Sequence, residues 1–304
     1  MGNKVNRIAI VPVIGFLLLS AAGAAGKNAV RILMIAGTTS DHLPMSMAGK
    51  PVIEKMGLDN GFTVDYSTDP AVLNDTNLVK YQVILQMNLY PFNLSAPQRG
   101  AFEKFIAQGK GWVGVHAAGC AQADWAWYMD FLGGITWVSH ADFRSGNLIF
   151  EDRTHPITRN MPASMIIKDE WYRFSKSPRA NVHVLAKADE ANYAPTNPQG
   201  DHPMVWTNLK FPRTVYCSIG HDPDDWKNPD YILLIHDALI WAMPGGTGIL
   251  PSFRTNTAAL PAAGGLGPDR DALGRTGFLL WKTVDHLPEK AVRKPSSPAL
   301  VKLR

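Results

Sequence analysis

Short apolar runs alternate with polar, glycine-bearing breaks along the first half of the chain. Val30-Arg-Ile-Leu-Met-Ile-Ala36 ends in Gly37-Thr-Thr-Ser-Asp41, which predicts a buried strand running into a polar loop. Met45 to Asn60 predicts a helix, Phe62 to Tyr66 a second strand and Tyr81 to Gln86 a third. The next helix is the best marked: Ser95 is a good N-cap with Gln98 three residues on, and Pro97 fits the first turn. Phe102, Phe105 and Ile106 share one face, and Gly109 ends it. Gly111-Trp-Val-Gly-Val-His116 predicts a fourth strand that ends on a histidine. Alternation of this kind predicts an α/β fold with a doubly wound, mostly parallel sheet, whose ligands sit beyond the carboxyl ends of the strands.

The pattern changes between Trp137 and Pro212. Short strand-like pieces (Asn147 to Phe150, Val182 to Ala186, Met204 to Trp206) are broken by Pro, Asn, Asp and Gly, and predict an inserted, partly antiparallel region supplying loops over the site. Thr214 to Ile219 returns as a core strand ending in Gly220-His221, and Tyr231 to Met243 predicts a long closing helix. The α/β domain is thus placed at residues 28–245. Residues 246–304, rich in Gly, Pro and Ala, read as a linker and tail with one docking segment at Phe278 to Trp281.

The start of the chain carries a different signal. Lys4 and Arg7 precede an apolar run from Ile8 to Leu19, and small residues follow to Ala25. This is the layout of a secretory signal peptide, and the run is short beside the roughly 20 residues of a bilayer span. Residues 1–25 are therefore expected to be removed, leaving a protein that acts in the periplasm or outside the cell. Losing Lys4 and Arg7 takes two charges from a formal net charge of +4, and much of the remaining excess lies in the tail. No basic stripe points to nucleic acid, and none to a membrane once the leader is gone. With 46% hydrophobic and 18% charged residues, the chain buries a sizeable core. Cys120 and Cys217, the two cysteines, are compatible with a disulfide or with two buried thiols. Whether two copies of the chain associate is left open.

Histidines mark the candidate chemistry: Gly114-Val-His-Ala-Ala118, Ser139-His-Ala141, Asp201-His-Pro203 and Gly220-His-Asp222, with His155-Pro156 beside them. Together with Asp169-Glu-Trp-Tyr172 and Trp125-Ala-Trp-Tyr128, their order and spacing resemble the ThuA (trehalose-utilisation) family over about Val30 to Met243. The resemblance implies a flavodoxin-like fold of the class I glutamine amidotransferase type. In those enzymes a strand-to-helix turn presents a nucleophilic cysteine, whereas the matching turn here carries His116. His221 stands where they keep a catalytic histidine. Amidotransferase chemistry is not expected, because Cys120 would fall inside the following helix.

Two neutral imidazoles serve as general acid and base near neutral pH, or hold a divalent metal such as zinc when a carboxylate joins them. The catalytic candidates are His116, His221 and Glu170, with Asp169 and Asp222 as further carboxylates. His116 is expected to project into the cleft, outside the core, beside the N-terminus of a helix whose positive end keeps it neutral. His140 and His202 are the candidate polar ligand contacts; His183 and His236 read as structural. Trp125, Trp171 and Trp206 are candidates for stacking on a sugar ring, drawn from an aromatic group that also holds Trp127, Tyr128, Trp137 and Tyr172. The expected partner is a small carbohydrate, a sugar or oxidised sugar derivative. The alternative is a noncatalytic sugar-binding or scaffold protein whose amidotransferase-like cleft lost its nucleophile.

Overall fold

The computed structural model describes residues 29–90, 93–120 and 124–246. The segment expected to be a leader, 1–25, and the expected tail beyond 246, including Phe278 to Trp281, lie outside the described residues. In chain order the first elements are β1 (Arg31–Ala36), α1 (Leu43–Asn60), β2 (Thr63–Ser67), α2 (Asp75–Leu78), β3 (Val83–Met87), α3 (Ala96–Ala107) and β4 (Gly111–Val115). There follow α4 (Ala126–Phe131), β5 (Trp137–His140), β6 (Arg144–Phe150), β7 (Ser164–Asp169), β8 (Tyr172–Phe174), β9 (Val182–Ala188) and α5 (Glu190–Tyr193). The described chain ends with β10 (Pro203–Asn208), β11 (Thr214–Cys217) and α6 (Pro229–Ala242).

One nine-stranded sheet runs in the order β2-β1-β3-β4-β11-β10-β9-β6-β7. The pairings from β2 through β11 are parallel. Residues alternate between two cores, as a sheet covered on both faces requires. Ile32, Met34, Val83, Leu85, Val113 and Val115 pack with residues of α1 and α6. Leu33, Ile35, Ile84 and Trp112 pack on the other side with residues of α2, α3 and α4. The apolar runs of the sequence are these doubly buried strands.

Local signals place the helices. The Ser95 N–H donates to Gln98 Oε1 at 2.7 Å, one arm of the capping box that starts α3. Asn228 caps α6 by accepting from the Asp230 N–H at 3.0 Å, with Pro229 at the first helical position. At the head of α1, His42 occupies the N-cap position but its side chain makes no capping bond, so the imidazole is free to turn elsewhere.

The inserted region does more than supply loops. β10, β9, β6 and β7 add to the far side of β11 through antiparallel pairings, so the single sheet is parallel on one side and antiparallel on the other. β7 alternates strictly, with Met165, Ile167 and Asp169 inward and Ser164, Ile166 and Lys168 outward, the pattern of a strand with one wet face. β5 and β8 form a separate two-stranded ribbon.

Candidate functional site

The carboxyl ends of β1, β3, β4 and β11 lie side by side, because these strands are parallel and adjacent in the order β1-β3-β4-β11. Each delivers one polar residue to the same edge: His42 after β1, Asn88 after β3, His116 after β4 and His221 after β11. Asn88 ties the set together. Its Nδ2 donates to the Gly220 carbonyl at 2.7 Å, and its Oδ1 accepts from the Ala117 N–H at 3.1 Å. A Cβ on Gly37 would stand 2.0 Å from the Asn88 carbonyl oxygen, so only glycine lets the β1 loop come this close.

His116 takes φ +48°, the left-handed region, at the point where β4 turns. The element that follows is not the expected helix but a single 3-10 turn, His116–Gly119, with Cys120 closing it. The argument from a helix N-terminus therefore falls away, and hydrogen bonds set the state of the imidazole instead. His116 Nδ1 lies 2.8 Å from the Ser218 carbonyl, which only accepts, so Nδ1 carries a hydrogen and Nε2 is left as an acceptor when the ring is neutral. The side chain is 0% exposed. His116 is thus a floor residue beneath the cleft, held in the core, where exposure to the cleft was expected.

Above it, Glu170 Oε2 lies 3.4 Å from His116 Nε2 and 3.5 Å from His221 Nδ1, while His221 Nδ1 is 3.2 Å from His116 Nε2. Partial burial works to raise the Glu170 carboxyl, but the His116 contact and the fields of His116, His221 and His140 outweigh it and hold the pKa below the ordinary glutamate value. Burial, with His116 close by, depresses His221. His42, which lies outside the histidine motifs of the sequence, completes the group. Its ring centroid is 5.5 Å from that of His116 and 5.1 Å from that of His221, and burial depresses its pKa to about 4. Ring nitrogens of His42, His116 and His221 all lie within 4.8 Å of one another, the kind of cluster that can hold a metal ion.

A buried carboxyl pair fixes the loop that carries His221. Asp169 Oδ2 accepts from the N–H groups of Gly220 at 2.6 Å and His221 at 3.2 Å, and its Oδ1 accepts from Glu170 N–H at 2.6 Å. Burial, and then the neighbouring Asp169, push Asp225 up to about 10. At neutral pH Asp225 keeps its proton and donates it to Asp169, whose oxygens already face three N–H groups.

The cleft over this floor has a volume of about 300 Å³, and its lining includes His42, Tyr90, Trp137, His140, Glu170 and Tyr172. Tyr172 lies over His116 with ring centroids 4.0 Å apart, and Trp137 meets Tyr172 edge-on at 5.8 Å. His140 sits at the rim, exposed, with Nδ1 3.8 Å from Glu170 Oε1. Cys120 lines the cleft too and is not inside a helix, but burial pushes its thiol up to about 12, so it stays protonated. Both cysteines are free thiols.

The other residues selected from sequence lie elsewhere. Trp125 packs among Phe102, Trp127 and Tyr128, with its indole N–H on Glu103, and Trp206 packs between Phe174 and Tyr216 in the core. Trp171 is buried, stacks on Tyr193 at 4.8 Å and donates to the Arg144 carbonyl at 3.0 Å. His202 is buried, with Nε2 2.6 Å from the Tyr172 carbonyl and Nδ1 2.9 Å from Glu190, so it props the ribbon from behind. Trp171, His202 and His140 border a neighbouring cavity of about 350 Å³. His155 and His183 pair with each other, and His183 with Asp152, away from the cleft. Of the aromatic group, Trp137 and Tyr172 are the rings that face the site.

The profile of the ThuA family, described as trehalose utilisation, matches residues 31–242. A structure from Bacteroides uniformis described as a ThuA-like protein superposes with TM-score 0.66 at 28% identity, covering 72% of this chain and 94% of that one. A second, from Parabacteroides merdae and described in the same way, gives 0.56 at 18% identity over 71% and 90%. A glutamine amidotransferase from Thermotoga maritima gives 0.47 at 11% identity over 71% and 98%. Among curated proteins none matches the sequence. The chain belongs to the ThuA family, and with it to a group tied to carbohydrate use.

Proposed function

We propose that the protein processes a sugar carrying an oxidised carbon, by proton transfer beside the carbonyl, in the cleft over His42, His116, Glu170 and His221. The observation that carries this reading is the convergence on one point of an imidazole nitrogen constrained to accept (His116 Nε2), an ionised carboxylate (Glu170) and a second imidazole held below its ordinary pKa (His221). Groups of this kind take and return protons near neutral pH. Glu170 lines the cleft and His221 is partly exposed, so these two meet the substrate, and His116 sets their positions and accepts charge from below.

Trp137 and Tyr172 present aromatic surface to the C–H face of a sugar ring, while Asp41, His140 and Glu170 offer polar contacts to its hydroxyls. The volume of about 300 Å³ suits one ring of a saccharide. The family's tie to carbohydrate use agrees with this ligand class. A protonated Cys120 argues against thiolate chemistry in the same cleft. The basic, apolar and small-residue order of residues 1–25 supports action outside the cytoplasm.

The test is incubation of the full chain with trehalose and with a keto sugar in deuterated water, followed by NMR of the sugar. Uptake of solvent deuterium at the carbon beside the carbonyl, lost in Glu170→Gln, is the expected result. A folded chain that binds neither sugar overturns the reading.

A further inference from the structure

The floor of the cleft holds too many lone pairs. His116 Nδ1 donates its hydrogen to the Ser218 carbonyl at 2.8 Å, so Nε2 of the neutral ring points a bare lone pair at the group. Glu170 Oε2, 3.4 Å away, belongs to an ionised carboxylate and also only accepts. His221 Nδ1, 3.2 Å from His116 Nε2 and 3.5 Å from Glu170 Oε2, has one hydrogen at most to share between two acceptors. His42 adds a fourth. Its Nδ1 faces Thr39 Oγ1 at 3.0 Å and Asp41 Oδ1 at 3.4 Å, and its Nε2 is buried with no hydrogen-bond partner in a residue only 6% exposed. An unpartnered buried nitrogen is costly unless something meets it.

We propose that His42 Nε2, His116 Nε2, His221 Nδ1 and Glu170 Oε2 ligate one divalent transition metal of the zinc class. This rests on the reading of the same cleft as the functional site and deepens it: with a metal bound, His116 Nε2, His221 Nδ1 and Glu170 Oε2 would be among its ligands, and Glu170 Oε1, on the His140 side, would be the oxygen left to exchange a proton with substrate. Four ligands at the roughly 2.0–2.1 Å bond lengths of tetrahedral zinc stand about 3.4 Å apart. The separations of 3.2, 3.4 and 3.5 Å among His116, His221 and Glu170 already have that size, and the three imidazoles span no more than 4.8 Å. Metal-bound histidines normally give their other ring N–H to a carbonyl or carboxylate, which fixes the ring. His116 gives its N–H to Ser218, and His42 turns Nδ1 to Asp41 and Thr39. His221 is oriented through its backbone, whose N–H is held by Asp169. Three imidazoles and one carboxylate select zinc and its neighbours over magnesium or calcium, which prefer oxygen ligands. A cation here also gives the fully buried His116 a task that does not require contact with substrate.

The experiment uses the full chain without an affinity tag, stripped with a chelator and titrated with zinc chloride by calorimetry and with cobalt chloride by visible absorption. One equivalent is expected to bind, with cobalt bands typical of low coordination number, and magnesium is expected not to compete. His42→Gln and Glu170→Gln, checked for folding by circular dichroism, should each weaken zinc binding at least tenfold, while His183→Gln, away from the cleft, should leave it unchanged. Absence of a stoichiometric site, or zinc affinity unaltered in a folded His42→Gln variant, overturns the assignment. Sugar binding measured on both the stripped and the zinc-loaded protein separates the two readings. Sugar bound without any metal site leaves the proposed function standing and removes the metal, and the opposite outcome does the reverse.

Discussion

His116 donates from Nδ1 to the carbonyl oxygen of Ser218 across 2.8 Å, and that bond decides which of its two nitrogens faces Glu170. The backbone conformation that makes the bond possible is itself unusual, with φ +48° at a β-carbon-bearing residue. Glycine adopts this region freely, whereas other residues pay roughly 1–2 kcal/mol there. His116→Ala should lose about 2–3 kcal/mol of stability, since it leaves a cavity and strips the Ser218 carbonyl of its donor. His116→Gly should be the more stable of the two by about 1 kcal/mol despite its larger cavity. Urea unfolding of both variants checks the order, and alanine proving the more stable would show that no strain is held at the turn.

Asp225 and Asp169 share one proton in a buried pair, and this gives a pH signature. Asp225 is pushed up to about 10 in the folded chain and titrates near 3.8 when exposed. Across that window the folded state binds more protons than the unfolded state, so this pair's contribution to stability falls as pH rises, by up to about 1.4 kcal/mol per pH unit. Asp225→Asn keeps a donor for Asp169 and removes the titration. Thermal unfolding measured from pH 5 to 9 should therefore flatten in the variant, with the gain over wild type greatest at the alkaline end.

Asn88 holds the β4 and β11 loops together through its amide, with both polar ends buried. Asn88→Ala should cost about 2–4 kcal/mol, because the Gly220 carbonyl and the Ala117 N–H each lose a partner out of reach of water. Crystals of a surviving variant should show His116 and His221 further apart than the present 3.2 Å between ring nitrogens. An unchanged separation would mean that Asp169 alone suffices to place His221.

Trp137 is 38% exposed and sits over the cleft beside Tyr172. Trp137→Ala should weaken sugar binding about tenfold, or about 1.4 kcal/mol, while changing stability by less than about 1 kcal/mol. Calorimetric titration against the melting temperature separates the two effects.

Cys120 borders the same cleft but keeps its proton up to about 12. At pH 8 it should react with iodoacetamide far more slowly than free cysteine, whose thiol titrates near 8.5. Rapid alkylation followed by mass spectrometry would contradict the buried, protonated state.

Much of this architecture was legible in the chain. The runs at β1, β3, β4 and β11 are apolar on both faces, and only a covered parallel sheet makes use of that pattern. Histidines at the ends of β4 and β11 follow from the same logic. His42 was harder to see, because a polar loop separates it from β1 and it opens a helix whose apolar pattern draws attention to Met45 and beyond. A signal was present in Asp41-His42, a carboxylate beside an imidazole past a strand end. The aromatic residues are the least legible. Trp125, Trp171 and Trp206 are buried, and composition cannot distinguish a ring that fills a core from one that faces a cleft. Nothing in the sequence pairs Asp169 with Asp225, since only the turn after β11 brings them together.

The β5–β8 ribbon stands apart from the nine-stranded sheet, and this separates two kinds of change. Residues at the ends of β1, β4 and β11 are framed by strands buried on both sides, so altering their spacing means moving the core. The ribbon carries Trp137, His140 and Tyr172, and Trp171 secures it next to Glu170. Substitution at its exposed cleft position, Trp137, can redraw what the cleft admits while His42, His116 and His221 stay in register. On the proposed function, selectivity and reactivity fall on different pieces of the chain, and a search for altered sugar preference has a natural starting point in residues 137–140.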